Sequence, residues 1–230
     1  MLTDVLAFLG GLALFLGLHV LTLSRLEPVF PRAFKLSRGL AALVLTSLGA
    51  AAFVTALPHW DTAFLYRHAD GDWMRRGLLV VQGHLVADFV WMYVGKRRFG
   101  IQPRKDLVLH HALGLVAFSV ALALHIGYAL ALITMITELL PLTTGVDALA
   151  KRISAPALTR AAARARLHVL TWMRIPLWIV LLALVLHALL RDTAPSDLVP
   201  ALWVSAAGLV ALLVLDAFWT RKCLQQVDFY

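Results

Sequence analysis

Seven mostly apolar stretches, each about 20 residues long, occupy about 4–24, 40–58, 77–95, 106–124, 126–145, 168–189 and 199–220. A helix of roughly 20 residues crosses the hydrocarbon core of a bilayer. There every backbone polar group must be bonded within its own segment, so a helix is the natural form. Composition agrees: 61% of residues are hydrophobic and 15% charged, with a mean hydropathy of +0.82. Soluble domains run nearer half apolar and about a quarter charged. The expected fold is an all-α polytopic membrane protein of seven transmembrane helices, with no repeat and no linker long enough to divide it. The first span has no basic region ahead of it and reads as a retained helix rather than a cleaved signal.

The net charge of +8 suits either nucleic acid or a topology signal, and its distribution favours the second. Arg25, Arg32, Lys35 and Arg38 lie between the first two spans, and Lys96, Arg97, Arg98, Arg104 and Lys105 between the third and fourth. Lys151, Arg152, Arg160, Arg164 and Arg166 separate the fifth from the sixth, and Arg221 and Lys222 follow the seventh. The alternate loops hold only Arg67, Arg75, Arg76 and Arg191. Every second loop is basic, the positive-inside pattern of a chain with its N-terminus outside and C-terminus in the cytoplasm. Anionic lipid head groups are the expected partners of these charges, and nucleic acid is not. The basic segment 147–167 reads as an amphipathic helix on the cytoplasmic surface. Ala-, Leu- and Arg-rich usage suggests a bacterial inner membrane. The one cysteine, Cys223, excludes an internal disulfide and a cysteine metal site.

Ionisable residues within spans cost several kcal/mol at mid-bilayer and mark functional sites by default. His19, His84, Asp88, His110, His111, Glu138, Arg174, His187 and Asp216 are the candidates. At about 1.5 Å per residue, Asp88, His110, His111, Glu138 and Arg174 all lie roughly 6–10 Å inside the basic edge. Asp216 and His19 fall in a similar band, and His84 is deeper. If these faces point inward, they form one polar chamber beneath an apolar outer half that accepts an acyl chain.

Local spacing supports inward orientation. His84 and Asp88, and likewise Asp106 and His110, are four apart and share a face. His110 and His111 diverge by about 100°, so they cannot address one atom. Pro141 and Pro176 remove backbone donors beside Glu138 and Arg174 and free nearby carbonyls. Structural readings compete. Arg174 with Asp88 or Glu138 would make an ion pair closing the bundle, and Asp216 would reach water beside Arg221 and Lys222. His19 would serve a helix contact, while His125 and His187 would be solvated. Trp60, Trp73, Trp91, Trp172, Trp178, Trp203 and Trp219 mostly fall near span ends, as an aromatic belt would. Of these, Trp178 is deep enough to line a cavity.

The runs DLVLHHALGLVAFSVAL, TMITELLPLTTGVDAL and MRIPLWIVLL, preceded by ADFVWMYV, resemble the TLC-domain family. That family includes ceramide synthases, translocation-associated membrane proteins and small lipid-related TLC proteins. The resemblance covers roughly 40–220 and implies a six-helix barrel, spans two to seven, around a lipid cavity. It divides the chain into a first helix and linker at 1–39, the TLC domain at 40–222 and a tail at 223–230. In ceramide synthases the paired histidines are implicated in acyl transfer from acyl-CoA. By motif that role falls on His110 and His111, with Asp88 as the acidic position before them. The second acidic block of ceramide synthases is replaced here by TELLPLTTGVDAL, so the smaller lipid-related branch is the closer likeness.

The expected function is therefore acyl transfer between lipids, with a non-enzymatic lipid-binding protein as the alternative. An imidazole can act as base or nucleophile near neutral pH. His111 is the first choice for that role, His110 the second, and Asp88 would orient the ring. Glu138, Arg174, His84, Trp178 and Asp216 are the expected substrate contacts, Arg174 because its fork matches phosphate. No tightly bound cofactor is expected; acyl-CoA or a phospholipid would supply the acyl group. His111 and His125 have haem-like spacing without partners at matching depth. A zinc set of His110, His111, Asp88 and Glu138 suffers from the divergence of the adjacent histidines, and no metal ligands are assigned. A homodimer is compatible with the sequence.

Overall fold

The apolar runs become seven helices long and apolar enough to cross a membrane: α1 (Leu2–Leu26), α2 (Phe30–Ala56), α3 (Asp72–Phe99), α4 (Lys105–Leu124), α5 (Tyr128–Arg152), α6 (Pro156–Leu190) and α7 (Val199–Gln225). They are seen in a computed structural model that describes residues 2–59, 71–191, 194, 196 and 198–227. Trp60 and Arg67 lie outside the described residues. No strand occurs among those described. The chain is an integral membrane protein of the all-α polytopic class.

Six helices close into a ring. Each of α2, α3, α4, α7, α6 and α5 packs on the next in that order, and α5 returns to α2. Helix α1 stands outside the ring against α3 and α2. Lipid tails offer no hydrophobic drive for helix association, so close backbone approach through small residues carries the packing. A Cβ at Gly83 of α3 would lie 2.5 Å from the Leu12 nitrogen, and one at Gly11 would lie 2.7 Å from the Val80 carbonyl. On the other side, a Cβ at Gly49 of α2 would meet the Ile136 nitrogen of α5 at 2.7 Å.

Two boundaries differ from the sequence reading. Helix α2 begins at Phe30, with proline in its first turn, not at 40. The missing N–H of Pro31 costs nothing there, and Arg32, Lys35 and Arg38 become helical residues, not loop residues. The expected division at residue 40 thus falls inside α2. The expected surface helix 147–167 is also not one element. Its first residues end α5 at Arg152, the chain turns through Ser154 (φ 55°), and Pro156 opens α6. Helix α6 then runs on through a π turn at Val169–Arg174 to Leu190.

The prolines act where expected. Pro141 has no N–H to give the Thr137 carbonyl four residues back, and the backbone is wound as a 3₁₀ segment over Thr134–Glu138. Pro176 follows the π turn that ends at Arg174. Such irregular turns cluster at functional sites in membrane helices.

Candidate functional site

The intramembrane charges resolve into two closed clusters and one open pair. The first centres on Asp88 of α3, which is wholly buried. Its Oδ1 accepts from His19 Nε2 of α1 at 2.9 Å, and its Oδ2 accepts from His111 Nε2 of α4 at 2.8 Å. Arg38 Nε of α2 lies 2.8 Å from Oδ2 but is not aligned for a hydrogen bond. His19 Nδ1 sits 2.5 Å from Ser37 Oγ, which itself donates to the Phe34 carbonyl. Both ring nitrogens of His19 therefore have polar partners. His111 Nδ1 likewise lies 3.0 Å from the Leu107 carbonyl. Burying an unpaired carboxylate is prohibitive, and four helices converge to pair this one.

The second cluster centres on Asp216 of α7, also wholly buried. Arg174 of α6 donates through Nε at 2.8 Å and Nη2 at 3.0 Å, a two-pronged bond of the strong kind. Trp178 Nε1 adds a third donor at 2.7 Å. Arg174 Nη1 reaches the Thr137 carbonyl at 3.0 Å, the group that Pro141 leaves without its helical donor. Arg174 thus pairs with neither Asp88 nor Glu138, and Asp216 does not reach water beside Arg221 and Lys222. Asp216 stands five and six residues before Arg221 and Lys222 on α7, and its buried carboxylate takes its donors from Arg174 and Trp178 instead.

Between the clusters stands His110. Its Nε2 faces Glu138 Oε1 of α5 at 4.0 Å, and its Nδ1 is buried without a hydrogen-bond partner. The ring meets Trp219 edge-on at 5.5 Å, and Trp219 Nε1 is anchored on Asp106 Oδ2 at 2.7 Å. Asp106 also pairs with Arg104.

His110 and Glu138 line two spaces at once. One is a mostly apolar cavity of about 130 Å³ between α4, α5 and α7, walled by Leu85, Phe118, Leu130, Trp178 and Leu209 and also touched by His84 and His111. The other is a cleft of about 510 Å³ lined by Arg38, Arg104, Lys105, Arg166, Arg174 and Lys222. The basic ends of the spans therefore share one side of the molecule. Of the expected site residues, Trp178, Glu138, His84, His110 and His111 reach the cavity, and Arg174 borders the cleft with three of its five N–H donors engaged. Asp88 and Asp216 line neither space.

Three residues escape the sequence reading. Arg38 reads as a loop charge until α2 is seen to start at Phe30. Trp219 reads as belt, yet borders the cleft. His19, read as a helix contact, is a direct partner of Asp88. Trp91 is buried and stacks on His19 at 5.3 Å, whereas Trp172 and Trp203 are exposed as a belt requires. His125 and His187 are exposed.

A family model described as TLC domain matches residues 37–225, most of the chain. No curated protein and no solved structure gives a match.

Proposed function

We propose, from the premise that the chain belongs to the TLC-domain family, that it is a membrane-embedded lipid acyltransferase or transacylase with His110 as the reacting group. One observation carries this reading. His110 and Glu138 border both the apolar cavity and the basic cleft, so an acyl tail and an anionic head group can meet at one imidazole. His110 takes precedence over His111, reversing the order expected from sequence, because both His111 nitrogens already have partners.

The acceptor hydroxyl or amine gives its proton to His110 Nδ1 as its oxygen or nitrogen bonds to the acyl carbon. The bond from that carbon to the leaving oxygen or sulfur then breaks, and the imidazolium returns the proton to the leaving group. Glu138, facing Nε2, stabilises the imidazolium between the two steps. The cleft cations hold phosphate, of a phospholipid or of acyl-CoA. His111 and Asp88 position the wall of the site.

In the orientation implied by the charge pattern, the cleft opens to the cytoplasm of a bacterial inner membrane. Within the family we place the chain nearer the small lipid-related branch, because TELLPLTTGVDAL stands where ceramide synthases carry a second acidic block. Lipid mass spectrometry of membranes from cells with and without the protein tests the reading. A change in the acyl composition of one lipid class supports it. Unchanged bulk lipid with one species co-purifying would favour the alternative, a lipid-binding protein.

A further inference from the structure

His84, Asp88 and His111 each offer one donor atom, and these atoms all lie within 4.8 Å of one another. We propose that they form a binding site for a divalent transition-metal ion, distinct from the His110–Glu138 pair. Two imidazoles and a carboxylate suit first-row ions such as zinc or iron. His84 and Asp88 share one face of α3, four residues apart, and His111 comes from α4. Asp88 Oδ2 is 2.8 Å from His111 Nε2 and 3.9 Å from His84 Nε2. These separations bracket the roughly 3.3 Å between donors about 2.0–2.1 Å from a tetrahedral ion.

The surroundings have the form of a metal site. Metal-bound histidines donate their other ring nitrogen to a carbonyl or carboxylate, which fixes the tautomer and ring orientation. His111 Nδ1 lies 3.0 Å from the Leu107 carbonyl. His19 holds the second Asp88 oxygen at 2.9 Å and is itself fixed by Ser37. His84 supplies the independent sign. It is buried against Phe15, its Nδ1 has no partner, and its Nε2 stops beyond hydrogen-bond reach of the carboxylate. Buried polar groups are nearly always bonded; an ion held by Nε2 beside Asp88 would give this imidazole a polar partner, with Nδ1 still unbonded. Arg38 contacts the same oxygen without aligned hydrogen-bond geometry and borders the basic cleft. It can withdraw there when an ion takes Oδ2. His84 and His111 line the apolar cavity, so a remaining coordination position is accessible to a lipid carbonyl.

The test uses the full-length protein in detergent, incubated with zinc chloride, freed of unbound ion and measured by inductively coupled plasma mass spectrometry. About one zinc per chain is expected, as for a single three-ligand site. His84→Ala and His84→Gln should lose it, and His19→Ala should weaken it roughly 10–100-fold through the outer contact. Arg38→Met should raise occupancy, and His110→Ala should leave it unchanged. Zinc no higher than a detergent blank, or zinc that survives both His84 substitutions, overturns the proposal. If the His84 variants do not fold, cobalt(II) titration of the wild-type protein decides: a visible tetrahedral band supports the site and its absence overturns it. Metal retention in His110→Ala separates this outcome from the fate of the acyl-transfer reading.

Discussion

His110 and Glu138 face each other across 4.0 Å, from α4 and α5, at a wall shared by an apolar cavity and a basic cleft. Among the described residues, the wholly buried carboxylates of Asp88 and Asp216 are committed to partners that close the bundle. Asp88 binds His19, His111 and Arg38, and Asp216 binds Arg174 and Trp178. The division between fixed clusters and an open pair makes the molecule's stability and its chemistry separable by mutation.

Asp88→Ala removes the shared partner of His19, His111 and Arg38 and strands the Arg38 charge and two imidazoles inside the membrane. Breaking a buried pair in this way costs about 3–5 kcal/mol. Thermal unfolding in detergent should show a marked fall in stability. His110→Asn should lower the same transition less, because its 4.0 Å contact with Glu138 is longer than a hydrogen bond and the asparagine amide can still face that carboxylate.

The Arg174–Asp216 bond should be worse broken than absent. Asp216→Leu alone, or Arg174→Met alone, leaves one buried charge and should destabilise by about 3–5 kcal/mol. The double variant Arg174→Met/Asp216→Leu leaves none and should recover much of that loss. Its unfolding midpoint above both single variants is the expected reading, and a double variant as unstable as the sum of the two contradicts it.

Gly83 governs whether α1 can deliver His19. A Cβ there would sit 2.5 Å from the Leu12 nitrogen and 2.7 Å from the Phe8 carbonyl, backbone atoms that cannot turn aside. Gly83→Val should force α1 off α3 and separate His19 from Asp88. A cysteine pair placed across α1 and α3 should cross-link in the parent and lose that link in the variant.

Glu27, between α1 and α2, should give a stability term that depends on pH. The Arg32 guanidinium, 3.1 Å away, holds its carboxyl below the usual carboxylate range, outweighing the effect of burial, and the Val29 N–H at 3.0 Å adds to the effect. A depressed folded-state value means stability that is complete above the unfolded value of about 4.3 and lost as pH falls through the folded one. Arg32→Ala should lower stability at pH 7 and narrow its gap from wild type as the pH drops below about 4.

The helices and the shared level of the charges were legible because both follow from one-dimensional rules, apolar length and rise per residue. Partner choice was not. Depth alone allowed Arg174 to meet Asp88, Glu138 or Asp216. The ring order, with α6 between α5 and α7, removes Asp88, and the facing of the side chains selects Asp216 over Glu138. Arg38 was hidden because a basic residue ahead of a hydrophobic run reads as loop, whereas Pro31 starts the helix two turns earlier. The role of His19 depended on α1 docking outside the ring, which rests on Gly11 and Gly83, small residues with no signal of their own. Pro141, by contrast, was readable. Its missing N–H is why the Thr137 carbonyl can receive Arg174.

The most direct measurement of acyl transfer at His110 uses the purified protein in vesicles with an isotope-labelled acyl phospholipid and a lysophospholipid acceptor, with and without acyl-CoA. Mass spectrometry follows the label. The account predicts labelled product in many-fold excess over protein, reduced about 10²–10⁴-fold in His110→Asn while the variant remains folded. Labelled lipid retained by the wild-type protein with no product formed, or turnover undiminished in His110→Asn, would contradict it.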